Sequence, residues 1–368
     1  MEQQPRKLSI REYVSIALLM VMAKGTEDTP AMFYKQVQNA SWMIPIVSAG
    51  ILFFPYLLLL KTLSLYQSKD LFSVIRILFG KYIGFFICLL IFLISSIGIS
   101  FDSRVYTNII RTFYFPTTPA LVIYALLMTI CAYGAKKGIQ QIGSVSYLVV
   151  FYAVILLYIA LLLSNRDSTL RSMFPILGPG PLKIAKGSVM GLSLFVDFFL
   201  FTTIIPHVRS GKDFLNGTWI TFVYITIQLS LILVVYICMF DNSLGNIGYP
   251  FHTLIRYISL GSYLPNVEII FFVIWLMLAF IRFTMFLYFN GLMFGHIFKI
   301  KDFEYLFPAL AAIYVLIGSI PESAGVVSHI KTVVYNSVGP VIITISLMLW
   351  LVALLKGEFK HAKNRNSM

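Results

Sequence analysis

Lys24-Gly25-Thr26-Glu27-Asp28-Thr29-Pro30 cuts an apolar stretch, residues 10–34, near its middle. Side chains on either side suit a membrane-spanning helix; those within the cut do not. Charged groups at mid-bilayer are costly and must be paired or solvated in a cavity. Gly25 and Pro30 weaken the helix, and the backbone groups they free cannot be left bare in hydrocarbon. The stretch therefore reads as a discontinuous span whose break lines a cavity. The competing reading is that the helix ends near Gly25 and the acids face water. A broken helix offers N–H groups to anions and carbonyls to cations, which suits a zwitterion such as an amino acid. Lys24, Gly25 and Thr26 are thus candidate ligand-binding residues, and Glu27 and Asp28 candidate intramembrane charges.

The flanking sequence fits that setting. Of 368 residues, 59% are hydrophobic and 12% charged, the latter about half the share of an ordinary soluble domain. The apolar residues fall in blocks long enough to cross a hydrocarbon core, which takes about 20 helical residues. An all-α integral membrane protein of about ten transmembrane helices follows. After the first, the spans are placed at residues 42–60, 82–113, 120–135, 145–163, 184–206, 219–240, 267–294, 305–320 and 333–355. Two amphipathic segments are expected at the interface. One is 63–81, where Leu71, Val74, Ile75 and Leu78 recur at helical spacing, and the other lies near 251–260.

Basic residues set the orientation. The N-terminal segment holds Arg6, Lys7 and Arg11, the C-terminal one Lys356, Lys360, Lys363 and Arg365. Even-numbered connections add Lys61, Lys69, Arg76, Lys81, Lys136, Lys137, Arg209, Lys212, Lys299 and Lys301, against Lys35, Arg111, Arg166, Arg171, Lys183, Lys186, Arg256 and Lys331 opposite. This bias of about two to one predicts that both termini are cytoplasmic. It also accounts for the net charge of +13 without nucleic acid, since basic loops suit anionic lipid.

Transporters with broken helices are often two inverted halves with the breaks at matching positions. In a five-plus-five scheme residues 1–163 and 184–355 are the halves, 356–368 a cytoplasmic tail, and span six the partner of span one. Span six contains Gly187, Gly191 and Asp197, then Thr202, Thr203 and Pro206. Asp197 joins the candidate ligand-binding residues; the two glycines also suit close helix packing. Asp102, Arg104, Glu268 and Arg282 complete the intramembrane charges. Asp102 and Arg104 stand two apart, on different helix faces, so each needs a partner elsewhere. Glu268 and Arg282 lie about 21 Å apart along one helix and cannot bridge. An interhelical ion pair is the expected use of Arg104 and Arg282.

Catalysis is not expected. His207, His252, His296, His329 and His361 are dispersed without metal-ligand spacing, and no phosphate loop or nucleophile elbow is present. Cys88, Cys131 and Cys238 sit in apolar blocks and form neither a disulfide framework nor a metal site. No cofactor or metal is expected.

Several stretches, in their order along nearly the whole chain, resemble the spore germination permeases. These are the GerAB-type B subunits of germinant receptors, within the amino acid/polyamine/organocation transporter superfamily. Gly25 and Pro30 resemble the family's glycine-containing break and following proline. Phe174-Pro175-Ile176-Leu177-Gly178 resembles its Arg-Pro-Val-Leu-Gly loop, and Tyr249-Pro250 the Trp-Pro that opens its amphipathic segment. Glu268 and Trp275 keep the spacing of its acid and tryptophan, and Ile320-Pro321-Glu322 resembles the turn after span nine. The chain departs from the pattern at Lys24, where a small residue is usual, at Phe174, and at Pro265-Asn266, where a Glu-Arg pair is common.

The resemblance implies a LeuT-like inverted-repeat fold in the inner membrane of bacterial spores. It also implies a complex with an A subunit and a lipoprotein C subunit that detects a small nutrient germinant, typically an amino acid. The rival expectations are a proton-coupled amino acid transporter using Asp102, Asp197 or Lys24, and a scaffold that binds no ligand.

Overall fold

Ser9 starts the first helix with a reciprocal cap. Its hydroxyl accepts from the Glu12 N–H, and the Glu12 carboxylate accepts from the Ser9 N–H at 2.9 Å, satisfying two donors a helix start leaves open. The computed structural model describes residues 6–66, 69–164, 168–258 and 267–360. Arg166, the Pro265-Asn266 pair, Lys363, Arg365 and residues 361–368 of the expected tail lie outside them.

Helix α1 (Ile10–Met22) ends in a 3₁₀ turn at Ala23–Gly25, and the chain resumes as α2 (Thr29–Val37) with Pro30 in its first turn. Span one is therefore broken where the sequence predicts. Next come α3 (Ile44–Ser64) and α4 (Leu71–Phe113). Gly80, at φ 78°, interrupts α4 in a conformation that favours glycine. The segment before it is the expected amphipathic one, with Leu71, Val74, Ile75 and Leu78 all buried. It begins only at Leu71, because α3 runs on to Ser64.

Helices α5 (Ala120–Lys136) and α6 (Ile139–Leu163) complete the first five spans. Span six is α7 (Pro181–Gly191), a 3₁₀ turn over Leu192–Phe195, α8 (Val196–Phe201) and a second 3₁₀ turn, Thr202–His207, containing Pro206. Then follow α9 (Gly211–Phe240), the short amphipathic α10 (Pro250–Tyr257), α11 (Val267–Phe298), α12 (Phe307–Ser319) and α13 (Ala324–Leu355). The tenth span begins at Ala324, not near Val333 as hydropathy alone places it. Ser323 caps it by accepting from the Val326 N–H, and the added turns bring Lys331 inside the bundle.

Among the described residues, seven helical stretches, counting consecutive helices together, are long and apolar enough to cross a membrane; Ala120–Lys136 and Phe303–Ser319 are apolar but shorter. Large apolar side chains such as Phe54, Phe86, Leu148, Phe151 and Leu316 point outward, as a hydrocarbon solvent favours. This is an all-α, multi-span membrane protein.

The packing follows the five-plus-five scheme. Span one (α1) lies against spans five, seven and eight (α6, α9, α11). Span six (α7, α8 and their turns) lies against spans ten and two (α13, α3) and, more lightly, against spans three and eight (α4, α11). Shifting by five carries the span-one neighbours five, seven and eight to ten, two and three. Likewise α13 packs on α4 as α6 packs on α11, and α12 on α4 as α5 on α11.

Candidate functional site

The carbonyls released where spans one and six break decide what surrounds them, since a bare carbonyl in a dry interior is costly. At the first break, Tyr106 donates to Ala23 O at 3.1 Å and Tyr236 to Gly25 O at 3.0 Å. Thr26 Oγ1 also donates to Ala23 O (2.7 Å) and accepts from Trp275 Nε1 (3.0 Å). At the second break, Tyr56 donates to Phe198 O at 2.9 Å. Ser193 O and Leu194 O are instead taken by Lys24 Nζ, at 2.7 and 3.2 Å. A side chain from one break thus closes the other.

Lys24 also pairs with Asp197 Oδ2 at 3.0 Å. Arg282, on α11, binds Asp102 of α4 through Nη2 (2.5 Å) and Nε (3.2 Å), reaches Asp197 at 3.4 Å, and donates to Met20 O. Lys331, on α13, sits between Asp28 Oδ1 (2.6 Å), Glu27 Oε1 (3.0 Å) and Asp102 Oδ1 (3.1 Å). Tyr335, one turn on, donates to Asp102 at 3.2 Å and to Glu27 at 3.4 Å. None of these seven charged residues is more than 8% exposed. The acids after Gly25 therefore do not face water; they are buried and paired, as charges in a low-dielectric interior must be.

Lys24, Glu27, Asp28, Asp102, Asp197 and Arg282 thus meet in one cluster, with Gly25 and Thr26 on its edge. Glu268 lies elsewhere and pairs with Arg256 at 3.5 Å, both partly exposed. Arg104 is also outside the cluster, and among the described residues its buried Nε has no hydrogen-bond partner. Lys331 and Tyr335 are the members sequence reasoning missed. The signal was available: Val327, Lys331, Tyr335, Val338 and Ile342 repeat at helical spacing from the Ser323 cap onward.

Gly25 serves by leaving room: a Cβ there would stand 2.9 Å from Ile232 Cδ1 and 3.0 Å from Leu229 Cδ2 on α9. At Gly187 a Cβ would meet Val37 Cγ1 at 2.6 Å, and at Gly191 it would overlap Ile44 and Ser48. These two glycines are packing contacts between span six and spans one and two. Above the cluster, α10 presents His252 to Tyr114 Oη (3.1 Å) and to the Trp275 ring (4.5 Å). Burial, reinforced by Arg256, pushes this imidazole down to about 3, so it packs as a neutral group.

A cavity of about 70 Å³ borders the cluster, lined by Lys24, Asp102, Ser193, Asp197, Arg282 and Tyr335 together with Ser95 and apolar side chains of α4 and α13 such as Ile91, Val338 and Ile345. Among the described residues no grouping of His, Cys, Asp and Glu could hold a metal ion. The cavity combines charged side chains from both helix breaks with a largely apolar wall.

Residues 7–327 match the family described as Spore germination protein, or spore permease. Among curated relatives, Spore germination protein YndE of Bacillus subtilis (strain 168) is 21% identical over 92% of this chain and 96% of its own length. Spore germination protein A2 of the same organism is 26% identical over 79% of this chain and 81% of its own. Spore germination protein B2 is 22% identical over 70% of each. With the match spanning well over half of its length, this multi-span chain belongs to the spore germination protein family.

Proposed function

We propose that this chain is the nutrient-sensing membrane subunit of a spore germinant receptor and that it binds a small germinant between spans one and six. The observation that carries this reading is the cavity bordered by both helix breaks, with Lys24 and Asp197 joining them in its lining. An amino acid is the germinant the family resemblance implies, so amino acids are the first class to screen. In this reading the chain performs no chemistry on its ligand and sits in the spore inner membrane with both termini cytoplasmic. An A subunit and a lipoprotein C subunit receive the signal. Residues 1–163 and 184–355 act as the two inverted halves, and ligand shifts the balance between two packings of the broken spans by favouring one of them.

Gly25→Val tests this reading. A branched side chain at 2.9–3.0 Å from Ile232 and Leu229 displaces the first break, so spores carrying the variant should lose their nutrient response while retaining the protein. An undiminished response with normal protein level sinks the proposal.

A proton-coupled amino acid transporter is the second reading. It is favoured by the imbalance of the buried cluster, in which Glu27, Asp28, Asp102 and Asp197 outnumber Lys24, Arg282 and Lys331. A proton would neutralise the excess carboxylate. Uncoupler-sensitive accumulation of labelled amino acid in proteoliposomes would favour this reading over the sensor.

A further inference from the structure

The same cavity carries information about the chemical class of its occupant. An ammonium group has three hydrogens to donate, and those of Lys24 face three acceptors: Ser193 O, Leu194 O and Asp197 Oδ2. The carbonyls that a broken span six could offer to a ligand's ammonium are thereby occupied by the protein's own. Asp102 and Asp197 are engaged by Arg282, and Asp102 also by Lys331 and Tyr335. Glu27 has one unpartnered carboxylate oxygen, but Glu27 is not among the residues that line the cavity.

Two buried hydroxyls in the wall remain unspent. Ser95 Oγ on α4 and Ser193 Oγ in the span-six turn are buried and have no hydrogen-bond partner among the described residues. Buried hydroxyls are ordinarily bonded, so these two mark where a ligand's hydrogen-bonding groups fit. Much of the remaining wall is aliphatic, including Ile91, Val338, Ile342 and Ile345. The volume, about 70 Å³, is below the roughly 150 Å³ of a cavity that admits benzene.

We infer that this cavity takes a small uncharged molecule, with a short apolar body and a hydroxyl or amide, because Lys24 stands in for the ammonium an amino acid would bring. The inference rests on the ligand reading above and refines it: an amino acid would have to displace Lys24 from Asp197 and from both carbonyls.

The experiment compares glycine with its uncharged isostere glycolamide, and L-alanine with lactamide, as thermal stabilisers of the purified full chain in detergent. Both neutral compounds should raise the melting midpoint saturably in wild type, and both amino acids should leave it unchanged. Lys24→Met vacates the ammonium position, so the order should reverse, glycine binding about tenfold more tightly than glycolamide. Ser193→Ala keeps every ion pair and should weaken glycolamide without creating a response to glycine, which keeps the test decisive if the lysine variant does not fold. Stabilisation of wild type by glycine or alanine overturns this inference and leaves the ligand reading intact. No shift from any of the four compounds in any variant overturns both.

Discussion

The breaks in spans one and six hold equivalent places in the two halves, yet they are secured differently. The first carries its own charges, Lys24, Glu27 and Asp28, and is tied to span ten by Lys331 on α13. The second has a single charge, Asp197, and two of its carbonyls, Ser193 O and Leu194 O, depend on Lys24 from the first break. The dependence is unequal: the first break would keep Lys331 if span six moved, whereas span six would lose Lys24 from two carbonyls and from Asp197, keeping Arg282, if the first break moved. Positional equivalence within a repeat therefore does not make the two breaks mechanically equivalent.

The largest test of that asymmetry is Lys331→Met. It strands Glu27 and Asp28 without a cation, and breaking a buried pair in this way costs about 3–5 kcal/mol, read as a fall in unfolding free energy of the purified protein. Asp197→Asn should cost less, about 1.5–3 kcal/mol for the charged hydrogen bonds removed, because Lys24 keeps two carbonyls and Arg282 keeps Asp102 and Met20 O. If Asp197→Asn proves the more damaging, the assignment of the anchored break is reversed.

Smaller effects sharpen the comparison. Gly187→Ala sets a methyl 2.6 Å from Val37 Cγ1, and overpacking of this kind costs about 1–3 kcal/mol. Gly25→Ala meets only the methyl ends of Ile232 and Leu229 and should fall at or below the lower end of that range. Differential scanning of the two variants side by side checks the order. Tyr236→Phe and Tyr56→Phe each remove one hydroxyl from one break carbonyl, Gly25 O and Phe198 O. Each should cost about 1 kcal/mol, so a large difference between them in urea titrations would expose an asymmetry in backbone anchoring as well.

Hydropathy and helix breakers made most of the fold legible. Apolar blocks gave the spans, and Gly25 with Pro30 gave the first break, because these signals are local. The expected site residues gathered around that break except for Arg104 and Glu268, whose charge alone does not say whether a partner stands nearby. What could not be read was the pairing. Asp102 meets Arg282 across 180 positions, and Lys331 meets Asp28 across 303, so no spacing rule links them. Lys331 is hidden for a second reason: a lysine depresses hydropathy, which places the start of the tenth span beyond it although the Ser323 cap and the helical repeat extend upstream.

Arg282 touches Met20 of span one, Asp102 of span three and Asp197 of span six from its own place on span eight. A planar guanidinium cannot follow two departing partners in different directions at once. It therefore joins both broken helices to spans three and eight through one planar group. In the proposed ligand reading, whatever enters the cavity therefore meets one coupled lever, not two independent gates.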